Sequence, residues 1–106
     1  MATDISPAEL RTRLDRKDPI VLLDVRDEWE TRLCRLENAT HIPTEEIELR
    51  TDELNQGDEI VVYCHHGIRS AAVADYLRSL GFAKAVNLAG GLELWARTVD
   101  PSMTRY

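Results

Sequence analysis

No apolar run in these 106 residues approaches the length of a membrane span; the longest strand-like ones are residues 20–23 and 60–64. Cysteine is scarce: Cys34 and Cys64 are too few for a disulfide scaffold or for a zinc site made of cysteines alone. Their separation by thirty residues says nothing about whether they could pair, and reduced thiols in a cytoplasmic protein are the simplest reading. Positive charge is also in the minority. Thirteen Lys and Arg against nineteen Asp and Glu leave a formal charge of −6, which argues against a nucleic-acid partner and says little about small molecules. The first four residues carry neither a basic segment nor an apolar stretch, so no secretory signal is expected. With only five Gly and four Pro, and with 43% hydrophobic and 30% charged residues, the chain reads as an ordinary globular domain, 1–106, large enough for a single core.

What the chain does have is the run Ile60-Val61-Val62-Tyr63-Cys64-His65-His66-Gly67-Ile68-Arg69-Ser70. A short apolar strand ends on a cysteine, a glycine-containing loop follows, and a helix is expected to begin at Arg69 or Ser70. Backbone N–H groups and a helix N-terminus then converge on the thiol, and both favour the thiolate, which is the nucleophilic form. A cysteine at a strand end is otherwise a small buried hydrophobe. An arginine and a histidine pair would be costly in a core, so they point instead to a reactive site.

Along the chain, Ser6-Pro7-Ala8-Glu9 combines an N-cap, a first-turn proline and a capping-box glutamate, which predicts a helix over 7–16. Residues 20–25 are apolar except for Asp24, as in a strand covered on both faces. Asp27 to Glu30 reads as a second capped helix start, with Trp29 and Leu33 one turn apart; Cys34 is placed on the same helix, where it reads as a packed, inert cysteine with a resolving thiol as the alternative. Residues 40–43 read as a short strand entering a proline turn, 44–54 as partly helical with Ile47 buried, and 59–63 as a strand. The clearest helix spans 70–80, with Val73, Leu77 and Leu80 in one stripe and Gly81 as its C-cap. Residues 85–88 form a last strand, and Gly90-Gly91 opens a short helix carrying Leu92, Leu94 and Trp95. Residues 98–106 show no pattern and are expected to fray or lie across the surface. Alternation of strands and helices predicts an α/β fold with an open parallel sheet, whose reactive groups gather beyond the carboxyl ends of the strands.

The segments Leu22-Leu23-Asp24-Val25-Arg26, Glu30, His41-Ile42-Pro43, the Cys64 to Ser70 loop, Ala74 to Leu77, Gly81-Phe82, and Asn87 to Gly91 with Trp95 together resemble the rhodanese-like family, specifically its small single-domain sulfurtransferases. The resemblance covers a core of about 5–97 and leaves 98–106 as a tail. It implies about five strands flanked by helices on both faces. It also implies transfer of a sulfane sulfur from thiosulfate or a persulfide donor, through a persulfide on Cys64, to a thiol or cyanide acceptor. No cofactor, metal, nucleic acid or membrane is implied. Carried over residue by residue, Cys64 is the nucleophile, and the N–H groups of His65, His66, Gly67, Ile68, Arg69 and Ser70 form an anion nest. Gly67 lets the chain turn inward, and the Arg69 guanidinium suits the sulfonate oxygens of thiosulfate. Arg69 also admits a reading as a salt bridge at a helix start, and His65 and His66 as loop residues pointing to solvent. Asp24 is expected to organise the loop, and Arg26 with Glu30 to make a structural ion pair.

The chain departs from the family pattern where glycines flank the His-Ile-Pro segment: here stand Thr40 and Thr44, which makes the local turn an open question. Four residues separate Cys64 from Arg69, one fewer than in the phosphatase and arsenate-reductase relatives, so the loop is too short for that chemistry. A non-catalytic rhodanese-like interaction module would typically lack the cysteine. A metal site from His41, Cys64, His65 and His66 is disfavoured, because adjacent ligands on one tight loop rarely reach tetrahedral geometry. The remaining alternative is a persulfide relay serving a sulfur-trafficking partner with the same residues.

Overall fold

A computed structural model describes residues 3–106, so Met1 and Ala2, part of the segment read for a secretory signal and of the expected 1–106 domain, lie outside the described residues. Five strands form one parallel sheet in the order β1-β5-β4-β2-β3, where β1 is Asp4–Ile5, β2 Ile20–Asp24, β3 Thr40–His41, β4 Glu59–Tyr63 and β5 Ala85–Leu88. Between them lie α1 (Pro7–Asp15), α2 (Glu28–Leu33), α3 (Ile47–Arg50, with a 3-10 turn on each side), α4 (Ile68–Ser79) and α5 (Gly91–Thr98). The expected α/β class and parallel sheet are therefore present. Among the described residues no helix is long and apolar enough to cross a membrane.

The two apolar strands in the middle, β2 and β4, sort their side chains by the period of two. Leu22, Val61 and Tyr63 face one way and pack with Leu10 of α1 and Leu92 and Trp95 of α5. Leu23, Ile60 and Val62 face the other way and pack with Ile47 of α3 and Val73, Ala74 and Leu77 of α4. Cys64 continues the second series, in the cluster on the α4 side. Strand alternation thus turns its side chain toward the start of α4.

Local chemistry explains most boundaries. Ser6 caps α1, its Oγ accepting the Glu9 N–H at 3.1 Å, and Pro7 occupies the first turn. α4 begins at Ile68 rather than at Arg69 or Ser70, because Gly67 takes φ +90° and turns the loop directly into helix. Leu80 falls outside the expected stripe and is exposed at the C-cap. β1, two residues long, carries no sequence pattern and is an addition to the elements read above. In α2 the apolar pair Trp29 and Leu33 faces solvent while Glu30 is buried, the reverse of an apolar-face reading. Cys34 is not on that helix; it follows it in extended conformation, at φ −167°. Thr40 lies in β3 and Thr44 opens a 3-10 turn; neither has positive φ, so the turn accepts threonine where glycine was expected.

Candidate active site

Cys64 lies one residue past β4, in a residue only 1% exposed. Its Sγ receives the Gly67 N–H at 3.1 Å and the Ser70 N–H at 3.4 Å, and lies 3.2 Å from Ser70 Oγ. These N–H groups are free to point inward because the carbonyls of the same loop are held from behind. Leu92 N donates to the Cys64 carbonyl at 2.9 Å and Glu93 N to the His65 carbonyl at 3.0 Å. Both donors sit in the first turn of α5, whose N–H groups have no partner within the helix. Burial pushes the Cys64 pKa up, but the Ser70 hydroxyl, the N–H groups of Ser70 and Gly67, and the Arg69 charge outweigh it, so the net shift is downward.

Ser70 Oγ also lies 2.5 Å from Asn87 Oδ1, and Asn87 Nδ2 donates to Asp4 Oδ1 at 3.3 Å. One hydroxyl proton cannot serve both Asn87 and the sulfur at once. Both acceptors are within reach of the hydroxyl, and its donation to the sulfur is the one that favours the thiolate. Ser70→Ala is therefore expected to move the alkylation pH profile of Cys64 to the alkaline side. At neutral pH the rate should fall roughly tenfold, the worth of about 1.5 kcal/mol in a hydrogen bond to a charged group. Stopped-time alkylation across pH, read on the Cys64 peptide, checks this.

Two ion pairs stand beside the loop. Arg26 is fully buried and grips Asp24: Arg26 N and Nε donate to Oδ1 at 3.0 Å each, and Nη2 to Oδ2 at 2.7 Å. Nη2 also donates to the Cys34 carbonyl at 2.7 Å, and Nη1 to Tyr106 Oη at 2.9 Å. Glu30 takes Arg69 through both carboxylate oxygens, at 2.7 and 2.8 Å, and also accepts the Asp27 N–H at 2.9 Å and the Tyr106 hydroxyl at 2.8 Å. Burial works against the Glu30 carboxylate, yet Arg69, the Asp27 N–H and Tyr106 bring its pKa down to about 2. The His65 ring stacks on Tyr106 at 3.8 Å and lies 4.0 Å from the His66 ring. Burial, then the neighbouring His66, lower the His65 pKa. His41 Nε2 donates to the Arg26 carbonyl at 2.6 Å.

A family model described as a rhodanese-like domain matches residues 6–98. The chain belongs to the rhodanese-like family. The putative sulfur carrier protein YrkF of Bacillus subtilis is 35% identical over 92 residues, which cover 87% of this chain and 50% of that protein. The chain thus spans about half the length of that relative. The thiosulfate sulfurtransferase GlpE of Coxiella burnetii is 34% identical over 82 residues, 77% of each chain. Among solved structures, the human single domain sulfurtransferase TSTD1 superposes with a TM-score of 0.82 at 28% identity, covering 92% of this chain and 98% of that one.

Set on this rhodanese-like frame, the residues singled out in the sequence converge, with two changes of partner. Arg26 and Glu30 do not form the expected ion pair with each other. Arg26 lies before the N-cap Asp27, in a bend outside the helix, so a spacing of four does not bring the two side chains together. Of Glu30 its guanidinium meets only the backbone carbonyl, at 3.3 Å. Arg69 is not a free cation: Glu30 neutralises it and uses two of its five N–H groups, leaving three for another oxyanion at a side chain 37% exposed. Of the loop N–H groups between His65 and Ser70, those of Gly67 and Ser70 reach the sulfur. Ile68 contributes no cover there, its side chain being 79% exposed, and His66 faces solvent. Among the described residues no group of three or more His, Cys, Asp or Glu could hold a metal. A cavity of about 710 Å³ lined by Arg11, Leu14, Arg35, Leu36, Trp95 and Met103 lies against α1 and α5, away from the Cys64 loop. Sequence reasoning missed two site residues. Asn87 had a signal, a lone amide in an apolar strand; Tyr106 had none.

Proposed function

We propose that the protein is a sulfurtransferase that carries a sulfane sulfur as a persulfide on Cys64. The observation that carries this reading is the convergence of Gly67 N, Ser70 N and Ser70 Oγ on Cys64 Sγ. Such a nest suits the thiolate before transfer and the persulfide after it. In the first step the thiolate attacks the outer sulfur of thiosulfate or of a persulfide donor. A new S–S bond forms, the donor's S–S bond breaks, and the electron pair leaves with sulfite or with the donor thiolate. In the second step an acceptor thiolate, or cyanide, attacks the outer sulfur and the pair returns to Cys64 Sγ. The three remaining N–H groups of Arg69 are available to the oxygens of an anionic donor. Neither displacement calls for a cofactor or a metal. The reading carries with it a reducing, cytoplasmic setting in which Cys34 and Cys64 stay as thiols.

A second reading, a relay that takes persulfide sulfur from one protein and hands it to another, uses the same residues. The neutralisation of Arg69 by Glu30 favours it, since a charge-balanced mouth holds a dianion less strongly than a free guanidinium would. Intact-protein mass spectrometry after incubation with thiosulfate or with glutathione persulfide tests both. The expected result is a gain of one sulfur atom that a thiol reductant removes. Loading by the persulfide alone would favour the relay, and no loading by either donor would overturn sulfur transfer.

A further inference from the structure

The segment 99–106, patternless in sequence, returns to the Cys64 loop by a defined path. Val99 N and Asp100 N donate to the Trp95 carbonyl at 2.8 and 3.0 Å, Met103 packs against the α1–α5 side of the core, and Arg105 pairs with Glu93 of α5. Glu93 is the residue whose N–H holds the His65 carbonyl, so one turn of α5 secures both the loop and the returning segment. The path ends at Tyr106, whose ring lies flat on His65 and edge-on to Trp29, at 3.8 and 5.8 Å between centroids. Its hydroxyl accepts from Arg26 Nη1 at 2.9 Å and donates to Glu30 Oε1 at 2.8 Å. Burial, together with the Glu30 carboxylate, raises the phenol's pKa against the pull of Arg26, so the proton stays in place for that donation.

We propose that Tyr106 is a positioning residue for the chemistry of Cys64: its hydroxyl ties the Asp24–Arg26 pair to the Glu30–Arg69 pair and thereby fixes the guanidinium that the Cys64 loop carries at Arg69. Glu30 stands on the six-residue helix α2; its Oε2 accepts the Asp27 N–H, and its Oε1 is shared between Arg69 Nη2 and Tyr106. Arg26, the other end of the link, is fully buried and held by Asp24 and the Cys34 carbonyl. Without the phenol oxygen, the Glu30 carboxylate loses its link to that fixed point, since Arg26 otherwise reaches only the Glu30 backbone carbonyl, and Arg69 moves with the carboxylate. The inference deepens the sulfurtransferase reading by naming a residue that sets how an anionic donor is received.

The test compares alkylation of Cys64 by iodoacetate, an anion, and by iodoacetamide, which is neutral, in wild type, Tyr106→Phe and Tyr106→Leu, each read on the Cys64 peptide. Phenylalanine keeps the ring on His65 and removes only the hydroxyl. In Tyr106→Phe the iodoacetate rate is expected to fall about fivefold relative to the iodoacetamide rate, the scale of losing part of one nearby charge. Tyr106→Leu should show the same loss of ratio together with a rise in the His65 pKa by NMR, because the covering ring is gone. With thiosulfate, KM should rise about as much in Tyr106→Phe while kcat stays within about twofold, the signature of lost uniform binding. An unchanged or increased ratio, or equal change with both reagents, overturns the proposal. If wild type does not load sulfur but the ratio still falls, the sulfurtransferase reading fails while the placement of Arg69 by Tyr106 stands.

Discussion

Cys64→Ser is expected to leave the protein folded and to remove sulfur loading, by more than about 10³-fold, the scale seen when a covalent nucleophile is deleted. The replacement is nearly isosteric, and its hydroxyl can accept the same Gly67 and Ser70 N–H groups that now reach the sulfur. The unfolding free energy should therefore change by no more than about 1 kcal/mol. What is lost is the nucleophile. The nest lowers the pKa of a thiol that is already within reach of neutrality, whereas an alcohol stays protonated under the same hydrogen bonds. Cys34 supplies the internal control. It is a half-buried thiol 3.9 Å from Arg26 Nη1, next to the carbonyl that Arg26 also engages, and among the described residues no backbone N–H donates to it. Cys34→Ser should load sulfur like wild type. Loading that persists in Cys64→Ser and disappears in Cys34→Ser would transfer the chemistry to the wrong side of Arg26 and end the present reading.

The parts of this architecture that sequence makes legible are those written in local chemistry. β4 and β5 occupy the residues expected of them, because each is a short apolar run between turn signals, and α1 starts where its serine cap and proline place it. The Cys64 loop is legible for the same reason: strand, glycine and helix follow one another without interruption. Long-range partnerships are not written locally. Tyr106 lies 76 residues from Glu30 and 80 from Arg26, and nothing near it in the chain announces either contact. The exchange of partners between Arg26 and Glu30 has the same origin. The helix that would pair them begins only after Asp27, so Arg26 turns back to Asp24 and leaves Glu30 to an arginine 39 residues away. The exposed face of Trp29 and Leu33 follows from that contact, since a buried Glu30 on a six-residue helix turns the apolar pair outward.

Gly91→Ala is expected to damage fold and site together, because the same backbone atoms serve both. Gly91 has φ +60°, and a Cβ there would stand 2.4 Å from the His65 carbonyl oxygen, 2.5 Å from its carbon and 2.6 Å from the Cys64 carbonyl oxygen. All three are backbone atoms, so no side chain can rotate away. Nor can the carbonyls retreat without breaking the bonds they accept from Leu92 N and Glu93 N. The left-handed conformation adds about 1–2 kcal/mol for alanine, and the displaced loop brings the total to about 3 kcal/mol or more. For a chain of this size that lowers the unfolding midpoint by more than about 10 °C. Chemistry at Cys64 should suffer beyond the loss of stability. When its carbonyl is pushed off α5, the peptide that follows rotates, and the Gly67 and Ser70 N–H groups lose their aim at Sγ. Alkylation of the folded fraction at low temperature should then slow, with its pH profile displaced to the alkaline side as in Ser70→Ala. Gly57→Ala is the matched comparison: its added Cβ meets only Asn55 Oδ1, at an ordinary 3.4 Å, so both midpoint and alkylation should stay at wild-type values. If Gly91→Ala instead matched Gly57→Ala in both measurements, α5 could not be what turns the loop's N–H groups onto the sulfur, and the nest would have to be held by α4 alone.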